Sequence, residues 1–144
     1  MSDSLSQCST RIKFKIRYSE TDQMGVANHA RYFDWFSEGR VAWLEERGER
    51  YSDWEKKGWV LPVINAECKY LKSLRFQEVV ELNTQVTKFN SRKVEFSYKI
   101  LKPSQNLTVA TGRTTHVFMH NVKIRQLKPE YYEVFSRTPT RLYS

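Results

Sequence analysis

The chain has only two cysteines, Cys8 and Cys68, in 144 residues. Neither belongs to a CxxC pair or to a spacing that would hold zinc, so both read as reduced thiols of a cytoplasmic protein. No stretch approaches the roughly 18 apolar residues that a membrane span needs. The polar start, Met1–Thr10, lacks the apolar centre of a signal peptide and is expected to be flexible. A cytoplasmic protein follows as the expectation. The phosphate-cradling patterns GxGxxG and GxxxxGK are absent, and so is the GxSxG elbow of serine hydrolases. Acidic residues are in short supply: 16 stand against 24 Lys and Arg, a formal charge of +8. Such a surplus favours polyanionic ligands. The bases are scattered and no run reaches five, which argues against nucleic acid and leaves a solvated basic surface or a functional patch as open readings.

What is present is an aromatic-rich chain, 14% Phe, Trp and Tyr, of a length that suits one domain. Residues 11–144 are expected to form it. Arg11 to Tyr18 alternates strictly: Ile12, Phe14, Ile16 and Tyr18 share one face, and four bases share the other. Period two predicts a half-buried strand, and the row of bases suits a sheet edge. A helical pattern then runs from His29 to Arg47, with Asn28 as N-cap and Gly48 as the stop. Gly39 lies in its middle, where glycine costs about 1 kcal/mol relative to alanine, so close approach to a flat surface is expected there. A short second helix spans Tyr51 to Lys57. Strand patterns follow over Val60–Leu71, Glu78–Phe89, Lys93–Lys102 and Leu107–His120, then a short one over Lys123–Leu127. Pro129 opens a small last helix. One strand, one long helix and an antiparallel meander make the fold class α+β.

Candidate chemistry narrows quickly. His116 and His120, four apart in a strand pattern, would share one strand face with no carboxylate beside them, which is poor zinc geometry. The stretch Thr21-Asp22-Gln23-Met24-Gly25-Val26-Ala27-Asn28-His29 is richer. It places an aspartate just ahead of a helix start, where free backbone N–H groups stabilise negative charge. Spacing alone leaves two readings open. Asp22 is a turn or capping residue, or it attacks a carbonyl or activates water beside an oxyanion site.

The segment Tyr18-Ser19-Glu20-Thr21-Asp22-Gln23-Met24-Gly25-Val26, followed by Asn28-His29-Ala30-Arg31-Tyr32, resembles the 4-hydroxybenzoyl-CoA thioesterase family. It is similar in particular to the small acyl-CoA thioesterases associated with the Tol–Pal system. The likeness continues through Phe33 to Gly48 and through Ala66 to Phe76. It implies a hotdog fold, a curved antiparallel sheet wrapped around one long central helix. It also implies paired subunits, as a homodimer or homotetramer, with the active site at their interface and the Val60–Lys69 strand lining an acyl pocket. The family's catalytic carboxylate falls on Asp22, as nucleophile or general base. The position whose N–H polarises the thioester carbonyl falls on His29, whose imidazole also carries a catalytic role in the Tol–Pal branch. Gly25, Val26 and Asn28 fall on the substrate-binding loop. Gln23-Met24 replaces smaller residues of many relatives, and Asn28 replaces an aromatic one.

The implied function is hydrolysis of an acyl-CoA with no metal or cofactor beyond the coenzyme A of the substrate. An acyl-carrier-protein thioesterase and a non-catalytic acyl-thioester binder are the alternatives. Lys69, Lys72, Arg75, Arg92 and Lys93 are candidates for the coenzyme A phosphates.

Overall fold

The computed structural model describes residues 9–136. Of the expected flexible start, residues 1–8, Cys8 among them, lie outside the described residues. The chain forms β1 (Ser9–Lys15), a 3₁₀ turn (Tyr18–Glu20), α1 (Arg31–Glu46), α2 (Tyr51–Lys56), β2 (Trp59–Val60), β3 (Val63–Tyr70), β4 (Val79–Phe89), β5 (Lys93–Lys102), β6 (Leu107–Val117), β7 (Met119–His120), β8 (Lys123–Ile124) and α3 (Tyr132–Ser136). Five strands build one sheet in the order β1-β4-β5-β6-β3. Every pairing in it is antiparallel. β2, β7 and β8 make a second, small sheet. This is the α+β arrangement that the sequence pattern predicts.

Turn chemistry sets the meander. Asn90 Oδ1 accepts the N–H groups of Arg92 and Lys93 and closes the β4–β5 hairpin. Pro103 opens a 3₁₀ turn between β5 and β6 that ends on Asn106 at φ +47°, a left-handed position that asparagine tolerates.

α1 buries Tyr32, Trp35, Phe36, Gly39, Trp43 and Leu44 and lies along β4, β1 and β5. Gly39 sets its distance from the sheet. A Cβ there would stand 2.9 Å from Leu82 Cδ2 and closer still to Thr84 Oγ1. Phe36 is wholly buried and stacks on Tyr98 of β5, ring centroids 4.1 Å apart. Gly112 of β6 leaves the space for that ring, since a Cβ there would meet Phe36 Cε2 at 2.5 Å. Burial of each such ring stabilises by roughly 1.5–3 kcal/mol. α1 ends as the sequence indicates: Gly48 stands at φ +84° and the Glu49 N–H returns to Leu44 O.

Three expectations are corrected. The first strand begins at Ser9 and ends at Lys15, so Tyr18 leaves the shared face and is 76% exposed. The cause is Glu20, whose carboxylate captures the Arg17 N–H at 2.8 Å and turns the chain. α1 starts at Arg31, two residues after His29. Asn28 does cap backbone, but its Oδ1 takes the Ala30 N–H in a turn ahead of the helix. The strand expected over Leu107–His120 breaks at Phe118. His116 and His120 therefore lie on different strands with different partners, Leu61 O and Thr114 Oγ1 for one and Lys57 O for the other.

Candidate active site

The Thr21–His29 segment folds into a small hairpin. Thr21 bridges to Ala27, and the Asp22 N–H donates to Val26 O at 2.9 Å. Gly25 closes a four-residue turn by donating to Asp22 O, also at 2.9 Å. It does so at φ +79°. That left-handed backbone is why glycine stands here. Space is not the reason, because the nearest atom to an added methyl, Arg75 Nη1, would be 3.6 Å away. Asp22 Oδ1 accepts the Met24 N–H at 2.9 Å. Its other carboxylate oxygen takes no hydrogen bond among the described residues, and the side chain is exposed.

Three contacts fasten this hairpin to the body. The Ala27 N–H donates to Leu74 O, and the Asn28 N–H to Glu20 O. The third is Glu20 itself, which is buried and accepts from the Arg17 N–H and from Trp35 Nε1 at 2.9 Å. Burial by itself would raise this carboxyl. The hydrogen bonds from Arg17 and Trp35, with the Arg17 charge, outweigh burial and hold it below the usual carboxylate range. Glu20 thus ties the turn carrying Asp22 to the first turns of α1.

His29 stands at the entry to α1. Its N–H donates to no atom of the described residues, whereas the next two are occupied: Ala30 gives to Asn28 Oδ1 and Arg31 to Asn28 O. That leaves one free donor just ahead of the positive end of a 16-residue helix. Tyr70, the last residue of β3, donates its hydroxyl to His29 O at 3.0 Å. It also sets its ring edge-on to His29 and to Tyr32. Loss of solvent and the neighbouring Cys68 push the Tyr70 phenol up to about 12, so it remains a donor at neutral pH. Burial likewise pushes the Cys68 thiol up, which makes it a poor nucleophile.

Val26, Ala27, His29, Tyr32, Tyr70, Leu71, Lys72 and Ser73 line a cleft of about 230 Å³. Val26 and His29 of the sequence candidates thus meet there. Asp22, Gly25 and Asn28 do not line it; they form the hairpin beside it. Lys72 belongs to the cleft wall. Lys93 opens β5 with Arg92 in the turn before it, at the end of the sheet away from Tyr70, which lies level with Ala110 and Ile100. The offset of seven residues from Lys93 to Ile100 spans about 24 Å at 3.4 Å per residue. Two contributors were not legible as such in the sequence. Tyr70 needed the β3 register to bring it beside His29. Glu20 gave a faint signal, a carboxylate within the polar Ser-Glu-Thr-Asp turn that proves to be buried. Among the described residues no three His, Cys, Asp or Glu side chains gather as a metal site.

The sequence profile described as "Thioesterase-like superfamily" matches residues 16–136. A Bacillus subtilis protein described as an acyl-CoA thioesterase is 30% identical over 130 residues, 87% of this chain and 94% of its own. An Aquifex aeolicus protein described as an esterase is 31% identical over 120 residues, 83% of this chain and 92% of its own. The crystal structure of the DHNA-CoA thioesterase from Staphylococcus aureus superposes with a TM-score of 0.84 at 29% identity, covering 89% of each chain.

Proposed function

The chain belongs to the thioesterase-like superfamily, and on that premise we propose that it hydrolyses acyl-CoA thioesters to the free acid and coenzyme A. The observation that carries this reading is the free His29 N–H at the start of α1, beside a hairpin that presents an Asp22 carboxylate oxygen without a hydrogen bond. A thioester carbonyl oxygen set on that N–H gains a free donor close to the positive end of α1, which favours the oxyanion that forms on attack. Asp22 either attacks the carbonyl carbon or takes the proton of an attacking water. In the general-base route water forms the new C–O bond, Asp22 takes its proton, the C–S bond breaks and the leaving sulfur of coenzyme A receives that proton. In the covalent route an Asp22 oxygen forms the C–O bond as the C–S bond breaks. A water then opens the mixed anhydride, freeing the acid and Asp22 while its proton goes to the coenzyme A thiolate. Gly25, Val26 and Asn28 shape the substrate loop, and the His29 imidazole shares in the proton transfer.

The finer kinship, with 4-hydroxybenzoyl-CoA thioesterases and their Tol–Pal-associated branch, is part of the same proposal and rests on the Ser-Glu-Thr-Asp-Gln-Met-Gly segment. So is the assembly. Asp22 is exposed in a single subunit, and a buried reaction site needs a second wall. Pairing two subunits along β3 supplies one beside Tyr70 and His29.

The test is coenzyme A release from a panel of acyl-CoAs, with wild type and Asp22→Asn side by side. Wild type should turn over at least one acyl class. The variant should lose about 10²–10⁴-fold in kcat/KM with its circular dichroism unchanged. Near-wild-type turnover by Asp22→Asn would overturn the mechanism. An inactive wild type would send the panel to acyl-carrier-protein thioesters. Binding of those without turnover would identify a non-catalytic binder.

A further inference from the structure

A second cleft, of about 210 Å³, lies further along α1, walled by Ser37, Arg40, Val41, Leu44, Tyr51, Leu61 and Phe96. Its lining is mostly apolar, with one full charge, the half-buried guanidinium of Arg40. Arg40 gives Nη1 to Tyr98 Oη and Nη2 to Ser37 Oγ, each at 3.0 Å. Both acceptors are neutral hydroxyls. Among the described residues no carboxylate comes within ion-pair distance of Arg40. A cation taken partly out of water is costly unless an acceptor of matching charge or strength meets it. Three of its five N–H donors remain free for one.

The hydrogen bonds behind Arg40 run in one direction. Leu61 O can only accept, so His116 Nδ1 carries the proton and donates to it at 2.9 Å. His116 Nε2 then accepts from Thr114 Oγ1 at 2.8 Å. Thr114 Oγ1 accepts from Tyr98 Oη at 2.6 Å. Tyr98 Oη in turn accepts from Arg40. Burial, with the Arg40 charge adding to it, draws His116 down to about 4 and keeps it the neutral acceptor that this direction requires. Burial also raises Tyr98 and Tyr51, the other titratable groups facing Arg40, so neither phenol serves as its counter-anion. The chain fixes the position of Arg40 and leaves its charge unanswered.

Ser37 and Arg40 lie six and nine residues beyond Arg31, about 9–14 Å along the helix axis. The cleft also exceeds the roughly 150 Å³ that holds a benzene ring in a protein interior. We propose that this cleft receives the far end of the acyl group, and that Arg40 selects acyl groups carrying an oxygen acceptor there, a hydroxyl or a carboxylate, over plain hydrocarbon ends. The inference rests on the thioesterase reading for its substrate but not for its test, because binding of the free acid needs no turnover.

The experiment measures binding by isothermal titration calorimetry for free acids of matched length: plain alkanoic, ω-hydroxy, α,ω-dicarboxylic and ring-hydroxylated aromatic. Wild type, Arg40→Gln and Tyr98→Phe are compared, and kcat/KM on the corresponding coenzyme A thioesters is read in parallel. Wild type should bind an oxygen-bearing acid at least tenfold more tightly than the plain one. Arg40→Gln should erase that preference and leave plain-acid binding within threefold. Tyr98→Phe keeps the ring stacked on Phe36 and should weaken the preference in part. A stronger response to the dicarboxylic acid than to the hydroxylated acids identifies a carboxylate end, and the reverse a hydroxyl. Equal binding of plain and oxygenated acids by wild type would overturn the proposal. So would an Arg40→Gln variant that keeps the preference or loses only subunit association. Absence of turnover on every thioester would sink the hydrolase reading and leave the binding comparison to decide the cleft.

Discussion

His116 shows how one buried side chain makes the whole protein sensitive to pH. It has no exposed surface and sits between Leu61 O and Thr114 Oγ1. Burial draws its pKa from 6.5 down to about 4. The unfolded chain therefore binds a proton there before the folded one does. In that window stability is lost as pH falls from about 6.5 towards 4 and is complete above it. The full effect is on the order of 3 kcal/mol. The urea midpoint is expected to fall across that range, and His116→Gln, less stable at pH 7, should show a flatter slope. An identical pH profile in both proteins would mean that other groups govern acid sensitivity. Glu20 acts in a lower window. Its depressed carboxyl stabilises the fold above the ordinary carboxylate range and releases that contribution only as pH falls below about 4.5.

At the scale of the element, α1 is held to the sheet by the absence of a side chain. Gly39 costs helix propensity, and alanine would recover about 1 kcal/mol in an isolated helix. In the fold its Cβ would press on Thr84 and Leu82, both within the interior strand β4 and both buried. Overpacking of this kind costs about 1–3 kcal/mol. Gly39→Ala should thus be net destabilising in urea unfolding followed by circular dichroism. A stabilised variant would show that the helix can lift without loss. The same closeness shaped the sequence pattern: the apolar positions of α1 were readable at spacings of three and four, while its entry was not. Asn28 reads as an N-cap. The extra turn that it makes with Ala30 and Arg31 displaces the helix start by two residues.

For the whole molecule, the two edges of the large sheet differ in kind. β1 turns Arg11, Lys13 and Lys15 outward, and charges on an edge discourage pairing. β3 offers eight residues with one side unpaired. Val63 and Ile64 at its start and Tyr70 and Leu71 at its end are all exposed. Such an edge is a template for a second strand, and the proposed dimer forms there. Sedimentation velocity should find dimers or larger assemblies for wild type, and Ile64→Lys should shift the protein towards monomer with a parallel loss of thioester hydrolysis. A monomeric wild type would remove the second wall of the proposed site.

The sequence by itself determined the α+β class and the order of the helices and long strands, because alternation, turn chemistry and glycine punctuation are local properties of the chain. It did not show that the strand expected over Val60–Leu71 divides into β2 and β3 of different sheets, or that the one over Leu107–His120 breaks at Phe118. It also drew attention to Asp22, because a polar loop ahead of an apolar helix stands out in composition, whereas the roles expected of Gly25 and His29 came from the family resemblance. The tertiary structure alone decided what those residues face. Tyr70 meets His29 across 41 positions of chain only because β3 pairs with β6 in one register. Arg40 finds Tyr98 across 58 positions only because α1 lies on β5. Contacts between residues so far apart depend on packing geometry, and no local pattern in the chain encodes which residue will lie opposite which.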